Sequence, residues 1–174
     1  MACELTAGIS AIDCRDNQGG IEYIYIASVV AQPATITETS GQVTGISYNG
    51  TPVSSSNFFK FAVNKQTSSF TETMTASSEN GTVFFQQDVN VVFRKLESAK
   101  RDVIKLLASA TDLLVVVKDN NGKFWSVGIT RGAELSAGTG ATGVAYGDLN
   151  GYNLTFTGYE IAPSYEVAPA LVGE

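Results

Sequence analysis

Between Arg94 and Ser109 the spacing of apolar residues changes from two to about 3.6, the one long stretch where it does so. Phe93, Leu96, Ala99, Val103, Leu106, Leu107 and Ala110 fall on one side of a helical wheel. Arg94, Glu97, Ser98, Arg101, Asp102 and Lys105 fall on the other. Lys100 sits at the apolar edge, where its stem can lie down while its head reaches water. Every other patterned segment alternates like strand. The chain therefore reads as mainly β with one α-helix inserted, the helix pressing its stripe on a sheet. No good N-cap precedes it, since neither Phe93 nor Arg94 can cap. Glu97 and Arg101 have the favourable i,i+4 spacing.

Strands are expected at Glu22–Val30, Thr35–Thr39, Val43–Tyr48 and Phe58–Val63, with Pro33 interrupting after the first. Asn49-Gly50 is a strong hairpin dipeptide. A long hairpin follows, Ser69–Ser77 and Thr82–Phe93 about Glu79-Asn80-Gly81. Its second strand exceeds the usual five or six residues, and its distal half mixes Gln and Thr with Phe84 and Phe85. An arm of that kind is an aggregation hazard in a monomer and makes sense when a neighbouring copy covers it. Leu113–Val117 and Phe124–Thr130 form a second hairpin about Asn121-Gly122, with Trp125 expected in the core or under the helix. Residues 132–151 are glycine-rich and read as a loop too long to be passive. Tyr152–Ile161 closes as a strand, and Ser164–Glu174, with Pro163 and Pro169, reads as an extended tail. No domain boundary is visible, so 1–174 is taken as one domain, a size that can bury a sizeable core.

Composition excludes several functions. With net charge −6 the chain is a poor match to a nucleic-acid binder, whose affinity comes from Lys and Arg displacing counterions. Five of its eleven basic residues lie on the helix, where Glu97 and Asp102 offset them. Histidine is absent, which removes Ser–His–Asp and Cys–His catalysis and mixed His/Cys zinc sites. Cys3 and Cys14 cannot build a disulfide framework and are expected as thiols, although a single bridge between them is geometrically possible. No signal peptide and no apolar run near the length of a membrane span is visible, so the protein is expected to be soluble in the cytoplasm until it assembles.

Gly138-Thr139-Gly140-Ala141-Thr142-Gly143 matches the dinucleotide-binding G-x-G-x-x-G by letter. That motif needs a helix opening at it within a βαβ unit, and Gly147, Asn150 and Gly151 break any such helix. N-x-[S/T] triplets at Asn49, Asn80 and Asn153 read as chance in a chain rich in Asn, Ser and Thr. Asp13 with Asp16, and Asp148 with Glu160, lack the dense oxygen spacing of a calcium loop. No catalytic residue, cofactor or metal is expected.

Asp119–Leu135 (DNNGKFWSVGITRGAEL) and Thr142–Glu160 (TGVAYGDLNGYNLTFTGYE) resemble the C-terminal half of the tail tube proteins of tailed bacteriophages, which are related to the inner-tube proteins of contractile injection machines. The resemblance covers residues 70–161, and the N-terminal third only by strand content. It implies a β-sandwich or half-barrel flanked by a helix, closing into hexameric rings that stack into a tube for genome passage. It implies a virion-tail location after assembly in the host cytoplasm. The implied partners are further copies of the chain and other tail proteins such as the tape measure, terminator and baseplate, with DNA passing through the lumen without sequence-specific binding. Thr67–Phe93 would be the arm and Arg131–Gly151 a loop at a subunit or ring boundary. The interface residues so implied are Phe70, Met74, Phe84, Phe85, Arg131, Glu134, Tyr146 and Asp148. Alternatives are another virion part, such as a capsid decoration, terminator or baseplate protein, and a β-sandwich binding module for carbohydrate or peptide with Tyr48, Tyr146 or Tyr152 as stacking platforms.

Overall fold

Two apolar runs, Ile21–Ser28 (β1) and Leu113–Asp119 (β8), pair antiparallel at the centre of the protein and are buried on both faces. Around them, in chain order, lie β2 (Ala34–Thr39), β3 (Gln42–Tyr48), β4 (Thr51–Pro52), a 3-10 turn (Ser55–Asn57), β5 (Phe59–Ala62), β6 (Ser69–Ser77), β7 (Thr82–Arg94) and α1 (Ser98–Ser109). After β8 come β9 (Phe124–Val127), β10 (Ala133–Ala141), β11 (Gly151–Glu160) and α2 (Pro169–Val172). The computed structural model describes residues 8–9, 15–29 and 34–174. Cys3, Cys14, Asp13, Pro33 and the Val30 end of the first expected strand lie outside the described residues.

The large sheet runs β5-β1-β8-β10-β11-β7-β6, with β9 also on β8; the small sheet is β2-β3-β4. Alternation along β1 and β8 divides the core. Ile24, Ile26, Leu113, Val115 and Val117 face an inner core with Val89, Val91, Leu154 and Phe156 from β7 and β11. Tyr25, Ala27, Leu114 and Val116 face an outer core with Val43, Ile46 and Tyr48 from the small sheet. The large sheet curls until Phe61 on β5 meets Phe93 on β7, ring centroids 6.1 Å apart, and the Asn64 amide donates to the Val92 carbonyl. The mainly β fold with a sandwich of two sheets and a flanking helix is as expected from the sequence, with α2 as a second, short helix. Asn49 (φ 48°) and Gly50 (φ 79°) give the hairpin turn between β3 and β4 its two positive φ values.

Several expectations are corrected. The helix begins at Ser98, not Arg94, because β7 keeps pairing with β11 through Arg94, opposite Gly151. Lys95 (φ 68°) then turns the chain, and the Lys100 ammonium folds back to the Arg94 and Lys95 carbonyls. Glu97 sits at the N-cap without a side-chain cap and pairs with Lys95 and Lys100, while Arg101 pairs with Asp102, so the expected Glu97–Arg101 pair does not form. The glycine-rich segment is not a loop throughout: residues 133–141 are strand β10. Gly138 and Gly140 lie opposite Leu154 and Tyr152, and a Cβ there would stand 2.9 and 3.1 Å from those side chains, so the glycines leave room for them. Trp125 is half-buried with its indole N–H on Asp119, outside both cores; Phe124 holds the core position instead.

The C-terminal segment is not an extended tail. Its backbone threads between the sheets, with the Val167 and Ser126 amides donating to the Phe124 and Tyr165 carbonyls on one side. On the other, the Val43 and Ala168 amides donate to the Glu166 and Val43 carbonyls. Val167, Leu171 and Val172 are buried in the outer core.

Candidate assembly surfaces

Three regions present more apolar or unpaired surface than the fold itself requires. The first is the β6–β7 ribbon. Its base belongs to the chain's own sheet: β7 pairs with β11 from Phe85 through Arg94. Beneath it Gln87 is buried, accepting from the Gly128 amide and donating to Glu72, which also accepts from Ser164. Only the part distal to Met74 and Phe85 runs past the end of β11, so the projecting arm is shorter than Thr67–Phe93. Met74 is 63% exposed and Val83 53%, while Phe84 leans on Tyr159 at 6.1 Å. Among the described residues β6 is a free edge, nine residues in regular register with β7 and with no Lys, Pro, Gly or bulge.

The second region is the outward face of β6, β7, β11 and β10. Thr71, Gln86, Asp88, Asn90, Thr155 and Thr157 share it. They bond one another, Thr155 to Asn90, Thr157 to Asp88 and Gln86 to Asp88 at 2.7, 2.7 and 2.8 Å. β6, β10 and β11 contain no Lys or Arg, and β7 has only Arg94, its last residue.

The third is α1. None of its residues is fully buried. Ile104 and Leu107 pack against the inner core, but Val103 and Leu106 stay 40% and 72% exposed. The apolar stripe is thus wider than the sheet beneath it. Each large aliphatic residue left in water forgoes about 1.5–3 kcal/mol. Between α1 and β5 the mismatch opens an apolar cleft of about 320 Å³, walled by Phe61, Phe93, Val103, Ile104 and Leu107, with Lys60 and Lys100 on its rim.

The residues expected at interfaces do not converge. Phe70 turns inward against the inner core, opposite Val89, and Phe85 is half-buried opposite Met74. Arg131 and Glu134 are exposed at the start of β10. Tyr146 and Asp148 lie on the β10–β11 loop, where the Asp148 carboxylate accepts from the Ala145 and Val144 amides and is held below the usual carboxylate range by those bonds. Val144 and Tyr146 are fully exposed. The exposed Val83, Val103, Leu106 and Phe59 were not singled out from sequence; Val103 and Leu106 were read as core because the stripe alone cannot say how much of itself a sheet covers. Tyr48 is no stacking platform: it is buried with its hydroxyl donating to the Ile129 carbonyl. Burial first, and the nearby Glu160 second, push its pKa up.

Glu174 forms a side-chain latch across the strands. Its carboxylate accepts from the Lys60 ammonium on β5 and the Tyr25 hydroxyl on β1, with Lys118 on β8 3.4 Å away. The Lys60 bond, then that of Tyr25, pulls the carboxyl down from 4.5 to about 2. A depressed carboxyl stabilises the fold above its unfolded pKa and stops doing so as pH falls through the folded one. Wild type should therefore melt above Glu174→Gln at pH 7, the gap closing between about pH 4.5 and 2. Paired thermal melts across that range check this, and a gap that is constant with pH would rule out the carboxylate as its source.

Among the described residues, no helix is long and apolar enough to cross a membrane and no group of acidic or thiol side chains could hold a metal ion. The described residues define a mainly β, two-sheet protein with exposed apolar surface at separate places. Comparison with family models, curated proteins and solved structures finds no match to this chain.

Proposed function

We propose that this is a non-enzymatic structural protein whose copies assemble into rings, hexameric as in tail tubes, that stack into the tail tube of a bacteriophage. The observation that carries the reading is the bare edge of β6 continuing into an apolar ribbon tip. Monomers guard such edges with charge, proline or bulges; β6 has no proline or bulge, and its one charge, Glu72, lies at the base of the ribbon and leaves the tip unguarded. Contacts of one head-to-tail kind close a ring, and contacts of a second kind propagate it as a filament. The hydroxyl- and amide-rich face of β6, β7, β11 and β10 suits a lumen wall, because the only cation on the strands that build it is Arg94, at the end of β7, which leaves little to hold DNA phosphates. Tape measure, terminator and baseplate proteins are the partners that such a tube would meet.

The test is direct. Purified protein, raised stepwise in concentration, should pass from small species to rings or tubes in sedimentation and negative-stain microscopy. A single monomer peak throughout, with no particles on the grid, removes the proposal.

A further inference from the structure

Asn-Gly occurs four times in the chain, at 49–50, 80–81, 121–122 and 150–151. Asparagine before glycine is prone to modify itself, because no side chain shields the glycine nitrogen from the neighbouring carboxamide. The reaction needs a carboxamide free to swing and a glycine amide not held in a hydrogen bond. The fold grants these unequally. The Asn121 side chain accepts from the Gln18 amide and donates to Asn17 and to the Gln18 carbonyl, and the Gly122 amide donates to the Asp119 carbonyl. The Asn150 side chain accepts from the Leu96 amide, and Gly151 is buried against the Phe93 carbonyl. Asn49 is exposed, but its two-residue turn is closed at once by the Tyr48–Thr51 pair, and Tyr48 is buried with its hydroxyl bonded. Asn80 is exposed in the 78–81 connection at the ribbon tip, beyond the end of β11, which reaches only to Phe85. Its backbone amide takes the Ser77 hydroxyl at 3.3 Å, which leaves its carboxamide and the Gly81 amide unbonded among the described residues. Nothing stands within 4 Å of the place a Gly81 Cβ would occupy. Opening this turn frays one end of a hairpin and disturbs no core residue.

We propose that Asn80 is a self-modification site, converted to aspartate and isoaspartate while the fold holds back the other three Asn-Gly steps. The Gly81 backbone nitrogen bonds to the Asn80 side-chain carbonyl carbon as the bond from that carbon to the amide nitrogen breaks. That nitrogen leaves as ammonia with the proton Gly81 gives up. Water then opens the cyclic imide at either carbonyl, so water is the sole co-reactant and nothing is oxidised or reduced. The product places a second carboxylate beside Glu79 on the ribbon tip. Under the assembly reading the tip packs on a neighbouring copy, and an unpaired charge in such a contact is costly. Converted chains therefore assemble less well. That consequence rests on the assembly reading; the conversion itself does not.

Dilute, unassembled full chain held in mildly alkaline buffer tests it, because the attack needs the Gly81 amide to lose its proton. Each Asn-Gly peptide is quantified over days by mass spectrometry, with isoaspartate separated by chromatography. Asn80 should convert ahead of Asn49 and about tenfold or more faster than Asn121 and Asn150, and in concentrated urea the four rates should converge. Conversion of Asn80 no faster than the others in the folded chain overturns the proposal. So does the same order persisting in urea, which would assign it to local sequence and not to the fold. For the consequence, Asn80→Asp should weaken association about tenfold or more with an unchanged melting temperature, while Asn80→Gln, which adds no charge, should associate like wild type. Equal association of the two variants overturns the effect on assembly and leaves the conversion standing. Conversion at Asn80 in a chain that never associates removes the assembly reading alone.

Discussion

Excising residues 164–174 is expected to leave no stably folded protein. Val167, Leu171 and Val172 are buried in the outer core. Each contributes about 1.5–3 kcal/mol by leaving water, so the three together approach the ~5–15 kcal/mol that holds a domain folded. The loss is deepened by polar groups left behind. The Val43 and Ser126 amides and the Val43 and Phe124 carbonyls all bond to this segment, and a buried group without a partner costs about 1–3 kcal/mol. Ser164 also supplies two of the bonds that satisfy Glu72 beneath the ribbon. The expected outcome is insoluble protein or a chain without cooperative melting, read by soluble yield and far-ultraviolet circular dichroism. A variant that melts cooperatively within a few degrees of wild type would show that the two sheets hold together without this strap.

That strap was the least legible part of the sequence, for a physical reason. Its apolar residues are Val167, Leu171 and Val172, separated by Pro169, and they fit neither period two nor period 3.6. The segment is fixed by tertiary contacts made with strands more than a hundred residues earlier, such as Val43. β10 was hidden differently. Gly138 and Gly140 occupy the positions where alternation would have shown apolar residues, because the bulk on that face is supplied by Leu154 and Tyr152 from the next strand. Where local chemistry is decisive the sequence was sufficient: Ser69–Ser77 alternates and is strand over those residues, and Asn49-Gly50 turns where such dipeptides turn. The helix was legible as a helix. Its stripe was not legible as half-exposed, since amphipathicity records how much apolar surface a segment offers and not which molecule covers it.

The same distinction decides the ribbon, where the second large effect is expected. Replacing Thr75–Phe84 by Asn-Gly, so that Met74 and Phe85 flank a two-residue hairpin turn, should abolish assembly while leaving the fold intact. The cut falls where Glu160 of β11 pairs with Phe85, so every remaining residue of β7 keeps the strand neighbours it has in the whole chain, β6 and β11 from Phe85 to Asn90 and β11 from Val91 to Arg94. The Glu72–Gln87–Gly128 bonds below it are untouched. Within the chain the excised part makes the Phe84–Tyr159 contact, an exposed pair worth on the order of 1 kcal/mol. The melting temperature should therefore fall by only a few degrees. Between copies, the loss of Val83 and Phe84 at the tip should weaken association by about a hundredfold or more. Sedimentation of wild type and variant at matched concentrations separates the outcomes. A variant that assembles like wild type would place the ribbon outside the contacts. A variant that does not fold would mean that the tip serves its own sheet, and the bare edge of β6 would then need another explanation than a neighbouring copy.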